Sequence, residues 1–142
     1  MEHVIVRLED DYYTTAQARE HIWHADLEEP AGGGNSAPTP EEMLLGALGS
    51  CMAQTAKLYA ARKQWQIDRI EVHLSMERFS GKDYSDYEGD STFIHEIREH
   101  VMIEGPLDEA QEKRIREIMG KCPVRRVLAS PNFFVEGEKI AE

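Results

Sequence analysis

Two cysteines, Cys51 and Cys122, are the residues of this sequence best suited to chemistry. A thiolate is a strong nucleophile, and a thiol can be oxidised and reduced again, so the pair predicts redox chemistry if the two sulfur atoms meet. The cysteines are 71 positions apart, and a disulfide needs Cα atoms closer than about 7 Å. Spacing alone therefore leaves open whether they meet, and simple burial is the alternative.

The predicted surroundings of the two cysteines differ. Cys51 falls in the most apolar predicted helix, where an unpaired cysteine is usually a small buried hydrophobe. Cys122 directly precedes Pro123, which can serve as the first residue of a helix, so its sulfur is expected at a helix N-terminus. The helix dipole and the nearby Lys121 and Arg125 would favour a thiolate there.

Other kinds of site do not match the sequence. His21 and His24 are three positions apart and His95 and His100 five, without the flanking residues of a zinc motif, so surface histidines are expected and no metal. The glycines at 32–34 are not followed by the Lys-Ser/Thr ending of a phosphate-binding loop. We therefore expect neither a metal nor a bound cofactor.

Composition restricts the partners and the compartment. The 142 residues carry a formal net charge of −11, which argues against nucleic acid or an anionic membrane surface as a partner. The apolar fraction of 41% is that of an ordinary folded protein. No apolar run approaches the roughly 20 residues that span a bilayer, and the first residues do not resemble a signal peptide. We therefore expect a cytoplasmic protein.

The region before the first cysteine predicts a short antiparallel meander and a loop. Residues 3–26 contain apolar and β-branched runs separated by charged residues, which is typical of short strands. Residues 27–39 are too rich in Pro and Gly for a helix or a central strand. Because about 26 residues are too few for an independent core, we expect the meander to belong to a single domain, 1–142.

A long helix is predicted over residues 40–63, and it carries Cys51. Its start is marked by a capping residue, a proline and two carboxylates, Thr39, Pro40, Glu41 and Glu42. Apolar residues occupy most of its faces, so we expect it to be buried nearly all round. Gly46 and Gly49 indicate a close backbone approach or a kink just before Cys51.

The rest of the chain predicts strands, then helices, then a strand, and therefore an α+β fold. Two alternating apolar segments between 69 and 104 are expected to pair as a hairpin around a polar loop. Helical spacing and capping residues follow. The predicted elements are a helix at 108–119, a helical turn at 122–129 that begins at Cys122, and a last strand at 132–136.

Two motifs, taken together, resemble those of the OsmC-like family, the osmotically induced and organic hydroperoxide resistance group. They are PEEMLLGALGSC at 40–51 and CPVRRVL at 122–128. The order of the predicted elements also matches the family over nearly the whole chain. The resemblance implies an OsmC-like α+β fold with antiparallel sheets around a long buried central helix. It also implies an intertwined homodimer with active sites at the subunit interface.

The resemblance further implies a thiol-dependent peroxidase that reduces organic or fatty-acid hydroperoxides. Cys51 would be the peroxidatic thiol, and Cys122 would resolve its sulfenic acid into a disulfide. A dithiol such as lipoamide, or a small cellular thiol, would then reduce the disulfide, with no prosthetic group. The family's active-site carboxylate matches Glu41 or Glu42, and its arginine is open among three residues, Arg7, Arg19 and Arg125.

Two non-enzymatic alternatives remain at this stage. An OsmC-fold dimer could bind a small hydrophobic ligand in its interface cleft, lined by methionines at 43, 52, 76, 102 and 119, although core packing explains these residues more simply. An acidic interaction module could use the charged loop at 80–90. Replacing Cys51 by Ser separates the peroxidase from the ligand binder, because only peroxide turnover needs the thiol.

Overall fold

The computed structural model describes residues 3–137 of the chain. These residues form two small antiparallel sheets and three α-helices, which confirms the predicted α+β class. A short 3-10 helix, Glu29–Ala31, lies in the loop before the first α-helix. The elements in chain order are β1 (Ile5–Leu8), β2 (Thr14–Ala18), β3 (His21–Ala25), α1 (Pro40–Arg62), β4 (Arg69–Ser80), β5 (Phe93–Glu104), α2 (Glu109–Met119) and α3 (Pro123–Ala129).

Two compact units divide the chain. The residues up to Gly46, together with those after Pro131, form one unit, and Ala47–Pro131 forms the other. Both cysteines belong to the second unit. The single domain predicted from the sequence stays a prediction.

The N-terminal unit contains a three-stranded antiparallel sheet in the order β1–β2–β3, as the predicted meander requires. The buried carboxylate of Asp26, just after β3, accepts hydrogen bonds from the backbone amides of Ser36 at 3.0 Å and Leu27 at 2.8 Å. These bonds, that of Ser36 first, hold the pKa of Asp26 below its ordinary value despite burial. One ionised side chain therefore ties together the Gly/Pro loop that leads to α1.

Helix α1 begins with a reciprocal pair of hydrogen bonds. The Thr39 amide donates to Glu42 Oε1 at 3.1 Å, and the Glu42 amide donates to Thr39 Oγ1 at 3.2 Å, which is a capping box. The helix ends at Arg62, one residue before the predicted end. Neither α1 nor any other helix within residues 3–137 is long and apolar enough to cross a membrane.

One face of α1 is buried, and the prediction that it is buried nearly all round is wrong for this chain. The buried residues recur every four positions and are Leu48, Met52, Ala56 and Ala60. They pack with side chains of β4, β5 and α2, which cover this face of the helix. On another face, Leu58 is 61% exposed.

Gly49 allows α1 to approach β4 closely. A Cβ atom at position 49 would lie only 3.1 Å from Leu74 Cδ1, closer than ordinary van der Waals contact. A Cβ atom at Gly46 would meet no atom of the described residues within 4 Å. The hypothesis of close backbone approach is therefore confirmed at Gly49 and wrong at Gly46.

Strands β4 and β5 pair as an antiparallel hairpin along their full length, from Arg69 opposite Glu104 to Ser80 opposite Phe93, as predicted. Because side chains alternate between the two faces of a strand, every second pair faces α1. These cross-strand pairs are Ile70–Ile103, Val72–Val101, Leu74–Glu99 and Met76–Ile97. The hairpin thus presents an apolar stripe to α1, interrupted by one carboxylate.

Helix α2 also begins with a capping box. The Gln111 amide donates to Asp108 Oδ1 at 2.8 Å, and the Asp108 amide donates to Gln111 Oε1 at 3.0 Å. Ile115 and Met119 bury the apolar face of the helix in the core. A short turn after Met119 leads directly to Cys122 and α3.

The prediction of a last strand at 132–136 is wrong. The segment forms no strand ladder with any of the described residues, and Phe133, Phe134 and Val135 are exposed. A β-branched and aromatic run favours extended backbone, but a strand also needs a neighbouring backbone to receive its hydrogen bonds. The segment has the residue types of a strand, but no described strand lies beside it to accept and donate its backbone hydrogen bonds.

Replacing Ala56 by Leu tests how tightly α1 packs in the second unit. Ala56 is 0% exposed in the core, so the added side chain should lower the free energy of unfolding by about 1–3 kcal/mol. Ala61→Leu, at an exposed position of the same helix, is the matched control and should change it little. Urea denaturation followed by circular dichroism measures both, and equal effects would contradict the packing described.

Candidate active site

Cys51 lies in the middle of α1 and is half-buried. It packs against the core of the second unit, and Gly49, two residues earlier, holds this part of the helix against Leu74 of β4. The thiol is therefore positioned by a rigid helix on a sheet rather than by a flexible loop.

Cys122 caps the N-terminus of α3, as predicted from Pro123. Its sulfur accepts a hydrogen bond from the Arg125 backbone amide at 3.4 Å, and Pro123 occupies the first turn. The residue is 0% exposed. The sulfur therefore accepts the hydrogen bond that the side-chain oxygen of an N-cap residue usually accepts.

The two cysteines are neighbours in the fold. Cys51 Sγ accepts a hydrogen bond at 3.5 Å from the amide of Val124, two residues after Cys122. The Cys51 thiol lies close enough to raise the pKa of Cys122, and both cysteines are free. The neighbouring amides of Val124 and Arg125 thus each hold one sulfur, and the fold brings together two thiols that are far apart in the sequence.

Burial raises the pKa of the Cys122 thiol above its ordinary value. The hydrogen bond that the Arg125 amide donates to the sulfur lowers this pKa, whereas the neighbouring Cys51 thiol raises it further. The positive charge of Arg125 lowers the pKa again, though by the smallest of these contributions. Cys122 is therefore neutral at rest, with a cation close enough to favour its thiolate.

Arg125 forms an ion pair with Glu99 of β5. Its Nη1 donates to both carboxylate oxygens of Glu99, at 2.6 and 2.5 Å. The hydrogen bonds that Arg125 donates to Glu99 raise the pKa of Arg125 above its ordinary value, so the guanidinium stays charged. The ion pair connects α3 to the hairpin next to the two thiols.

Glu99 is not among the site residues predicted from the sequence, although a signal was present. Apolar residues occupy alternate positions of β5 at 97, 101 and 103, and Glu99 falls in the same alternation. It is an exposed member of that alternation, and its partner is a cation. Because that partner, Arg125, lies on another element, only the folded chain identifies it.

The two candidate carboxylates lie in the first turn of α1. Glu42 is engaged in the capping box with Thr39, through both its carboxylate and its amide. Glu41 is exposed and lies ten positions before Cys51 on α1. The hydrogen bonds of the thiols given above involve neither carboxylate.

Two of the three candidate arginines belong to the N-terminal unit. Arg7 lies on β1, and Arg19, in the turn between β2 and β3, is exposed beside Glu20 at 4.0 Å. Arg125 belongs to the same unit as the cysteines and lies beside Cys122. Within the second unit, it is the candidate arginine that binds a thiol, through its backbone amide.

Five of the six histidines are exposed, and His24 is half-buried. His73 pairs with Glu71 at 2.5 Å on the solvent side of β4, and His21 lies 3.4 Å from Glu20. Within residues 3–137, no group of three or more His, Cys, Asp or Glu side chains is arranged to hold a metal ion.

A small cavity of about 260 Å³ lies beside Glu99 in the second unit. Met52 and Met119, two of the methionines considered for a ligand cleft, line it and also pack in the core. Its other lining residues are His100, Val101, Arg116 and Gly120. Core packing therefore accounts for these two methionines.

Comparison with known proteins finds OsmC-like proteins both by sequence and by fold. A family model described as OsmC-like protein matches residues 33–136. An OsmC-like protein from Mycoplasma pneumoniae has 23% identity, a TM-score of 0.72 and coverage of 91% of this chain and 87% of its own. None of the curated proteins compared with the chain matches it.

Two further solved structures share the fold. One, described as an osmotic stress induced and detoxification response protein from Psychrobacter arcticus, has 18% identity and a TM-score of 0.72, covering 89% of this chain and 88% of its own. The other, an organic hydroperoxide resistance protein from Legionella pneumophila, has 11% identity and a TM-score of 0.64, covering 90% and 88%. At these identities the likeness shows the fold alone.

The two thiols should differ in their rate of alkylation. Iodoacetamide at mildly alkaline pH should modify Cys51 faster than Cys122, because Cys122 is fully buried and its pKa is raised. The rate at Cys122 should keep rising with pH beyond the ordinary thiol value of about 8.5. Peptide mass spectrometry measures both rates, and the protein unfolded in guanidinium, where the rates should converge, is the control. Faster alkylation of Cys122 in the folded protein would contradict this geometry.

Proposed function

The chain belongs to the OsmC-like protein family, and on that basis we propose that it is a cytoplasmic thiol-dependent peroxidase that reduces organic or fatty-acid hydroperoxides. The supporting observation is that two adjacent backbone amides, of Val124 and Arg125, bind the sulfurs of two reduced cysteines from elements far apart in the sequence. A peroxidase with two cysteines needs this arrangement, because the second thiol must reach the oxidised sulfur before further oxidation.

Cys51 is the peroxidatic residue in this proposal. It is half-buried, whereas Cys122 is 0% exposed, so a peroxide reaches Cys51 more readily. The Cys51 thiolate attacks the distal peroxide oxygen, an S–O bond forms and the O–O bond breaks. The alkoxide leaving group takes up a proton and departs as an alcohol, and Cys51 is left as a sulfenic acid.

Cys122 is the resolving residue. Its thiolate attacks the Cys51 sulfur, an S–S bond forms, and the S–O bond breaks to release hydroxide, which takes up a proton as water. An external dithiol or small thiol then returns both cysteines to the reduced form by thiol–disulfide exchange. The cycle needs no prosthetic group.

The substrate class follows the relatives. Fold neighbours from Legionella pneumophila and Elizabethkingia anophelis are described as organic hydroperoxide resistance proteins. The apolar surroundings of Cys51 suit a hydroperoxide with an organic group better than hydrogen peroxide, because such a group loses unfavourable contact with water on binding.

We propose Glu41 as the active-site carboxylate, since Glu42 is engaged in the capping box. We also propose a homodimer with its active sites at the subunit interface. Large apolar side chains are exposed in both units, on α1 and on the N-terminal sheet, and a second copy would cover them. Examples are Leu44, Leu58, Val6, Leu8 and Ile22.

The alternative, a dimer that binds a small hydrophobic ligand with both cysteines buried and reduced, has less support. The cavity of about 260 Å³ in the second unit is smaller than typical ligand pockets of roughly 300–1,000 Å³. The proximity of the two thiols also has no role in such a function. We therefore favour the peroxidase.

One equivalent of cumene hydroperoxide, or the same amount of hydrogen peroxide, tests the proposed function. In the unaltered protein both thiols should disappear together into an intramolecular disulfide, faster with the organic peroxide. Mass spectrometry of the alkylated protein counts the remaining thiols.

Cys51→Ser and Cys122→Ser form a matched pair of variants. Cys51→Ser should consume no peroxide, whereas Cys122→Ser should consume one equivalent and retain a sulfenic acid that dimedone traps. If both thiols of the folded, unaltered protein stay titratable, the cysteines are packing residues and the ligand-binding function takes precedence.

A further inference from the structure

Glu99 occupies an unusual position in the hairpin. It lies on the face of β5 that packs towards α1, in the same alternation as Ile97 and Val101, and opposite Leu74 of β4. Glu99 is nevertheless an exposed residue with a side chain 32% exposed, so it keeps part of its hydration. From this position it can hold a cation at the surface of the hairpin.

Arg125 is that cation, and it is also bound to Cys122. Its side chain donates to both oxygens of Glu99, while its backbone amide donates to Cys122 Sγ at 3.4 Å. The side chains of Arg125 and Glu99 are 41% and 32% exposed, so solvent weakens the pair without removing it. One residue thus binds the hairpin through its side chain and the resolving sulfur through its backbone.

Cys122 is the thiol that needs a cation most. It is 0% exposed, and burial disfavours the thiolate that must attack the oxidised Cys51. Arg125 and Cys122 act on each other through their charges: the guanidinium lowers the pKa of the thiol, and the thiolate raises the pKa of the guanidinium. Glu99 keeps this cation in place.

We propose that the Glu99–Arg125 ion pair controls the resolving step, with Arg125 as a positioning residue that stabilises the Cys122 thiolate as it attacks Cys51. This inference rests on the proposed peroxidase function. The ion pair acts after the peroxide has reacted, so it determines how long the Cys51 sulfenic acid survives. It thereby determines how readily a second peroxide oxidises Cys51 irreversibly to sulfinic acid.

The step is balanced within the chain. The Cys122 sulfur donates an electron pair to the Cys51 sulfur, the S–S bond forms, and the S–O bond of the sulfenic acid breaks. The departing hydroxide takes the proton released when Cys122 ionised and leaves as water. Arg125 exchanges no proton and no electron, and its charge only lowers the free energy of the attacking thiolate.

Arg125→Gln removes the charge and keeps a polar side chain. Because the charge of Arg125 lowers the pKa of Cys122, its removal should reduce the fraction of Cys122 present as thiolate, and we expect disulfide formation to slow several-fold. The first reaction with cumene hydroperoxide should keep its rate. Excess peroxide should then convert more Cys51 to sulfinic acid than in the unaltered protein.

Rapid quenching with dimedone, followed by mass spectrometry, measures the sulfenic acid, the disulfide and the sulfinic acid at each time. Arg126→Gln, at the next position of α3 and exposed, is the matched control and should leave both steps unchanged. Arg125→Lys keeps the positive charge and should restore most of the resolving rate. Glu99→Gln leaves Arg125 unanchored and should slow the same step by less.

A purely structural role for the ion pair gives a different result. If Arg125→Gln slows both steps equally, and Arg125→Lys does so too, the pair only holds α3 in place and the inference is wrong. Disulfide formation at the unaltered rate in Arg125→Gln also overturns it. If Arg125→Gln does not fold, Arg125→Lys and Glu99→Gln carry the same test.

Failure of the proposed function is seen separately. If the unaltered protein forms neither a sulfenic acid nor a disulfide with cumene hydroperoxide, both the proposed peroxidase function and the inference are wrong. If the unaltered protein completes the cycle and Arg125→Gln does so equally fast, only the inference falls.

Discussion

The close packing of α1 against the β4–β5 hairpin is the constraint on which the thiol site depends. Gly49 leaves room for Leu74, and residues at four-residue intervals bury one face of the helix against the sheet and α2. Cys51 follows Gly49 by two positions, so its sulfur is held at this junction. The same core contains Met119 and Cys122, and the turn between them brings the second sulfur to the first. The position of each thiol is therefore a consequence of core packing.

Burial creates a conflict at Cys122, and the nearby ion pair offers a way to resolve it. Excluding water favours the neutral thiol, whereas attack on a sulfenic acid needs the thiolate. Two backbone amides at the start of α3 hold the sulfurs, and the Arg125 guanidinium places a positive charge nearby. Glu99 of β5 pairs with this guanidinium and so fixes where the charge lies. The ionisation of one buried thiol thus depends on side chains from two other parts of the unit.

The successful predictions from the sequence concern local features. The cap of α1 by Thr39, the capping box of α2, the hairpin, and the helices that carry or follow the cysteines depend on residues within a few positions of one another, or on regular alternation. The wrong predictions depended on distant partners. The segment 132–136 has the residues of a strand but no neighbouring strand among the described residues. The apolar residues of α1 suggested burial on most of its faces, whereas the folded chain buries one face.

The sequence by itself determined the chemical groups and the local elements that carry them: two cysteines, one in a long apolar helix and one before a proline that begins a helix. Only the tertiary structure decided that the two thiols are neighbours, that Arg125 lies beside Cys122, and that Glu99 belongs to the site. Glu42, equivalent to Glu41 by motif, is distinguished only by its hydrogen bonds with Thr39. The physical reason is range, because caps and alternation act over a few residues, whereas contacts across tens of residues depend on how the whole core packs.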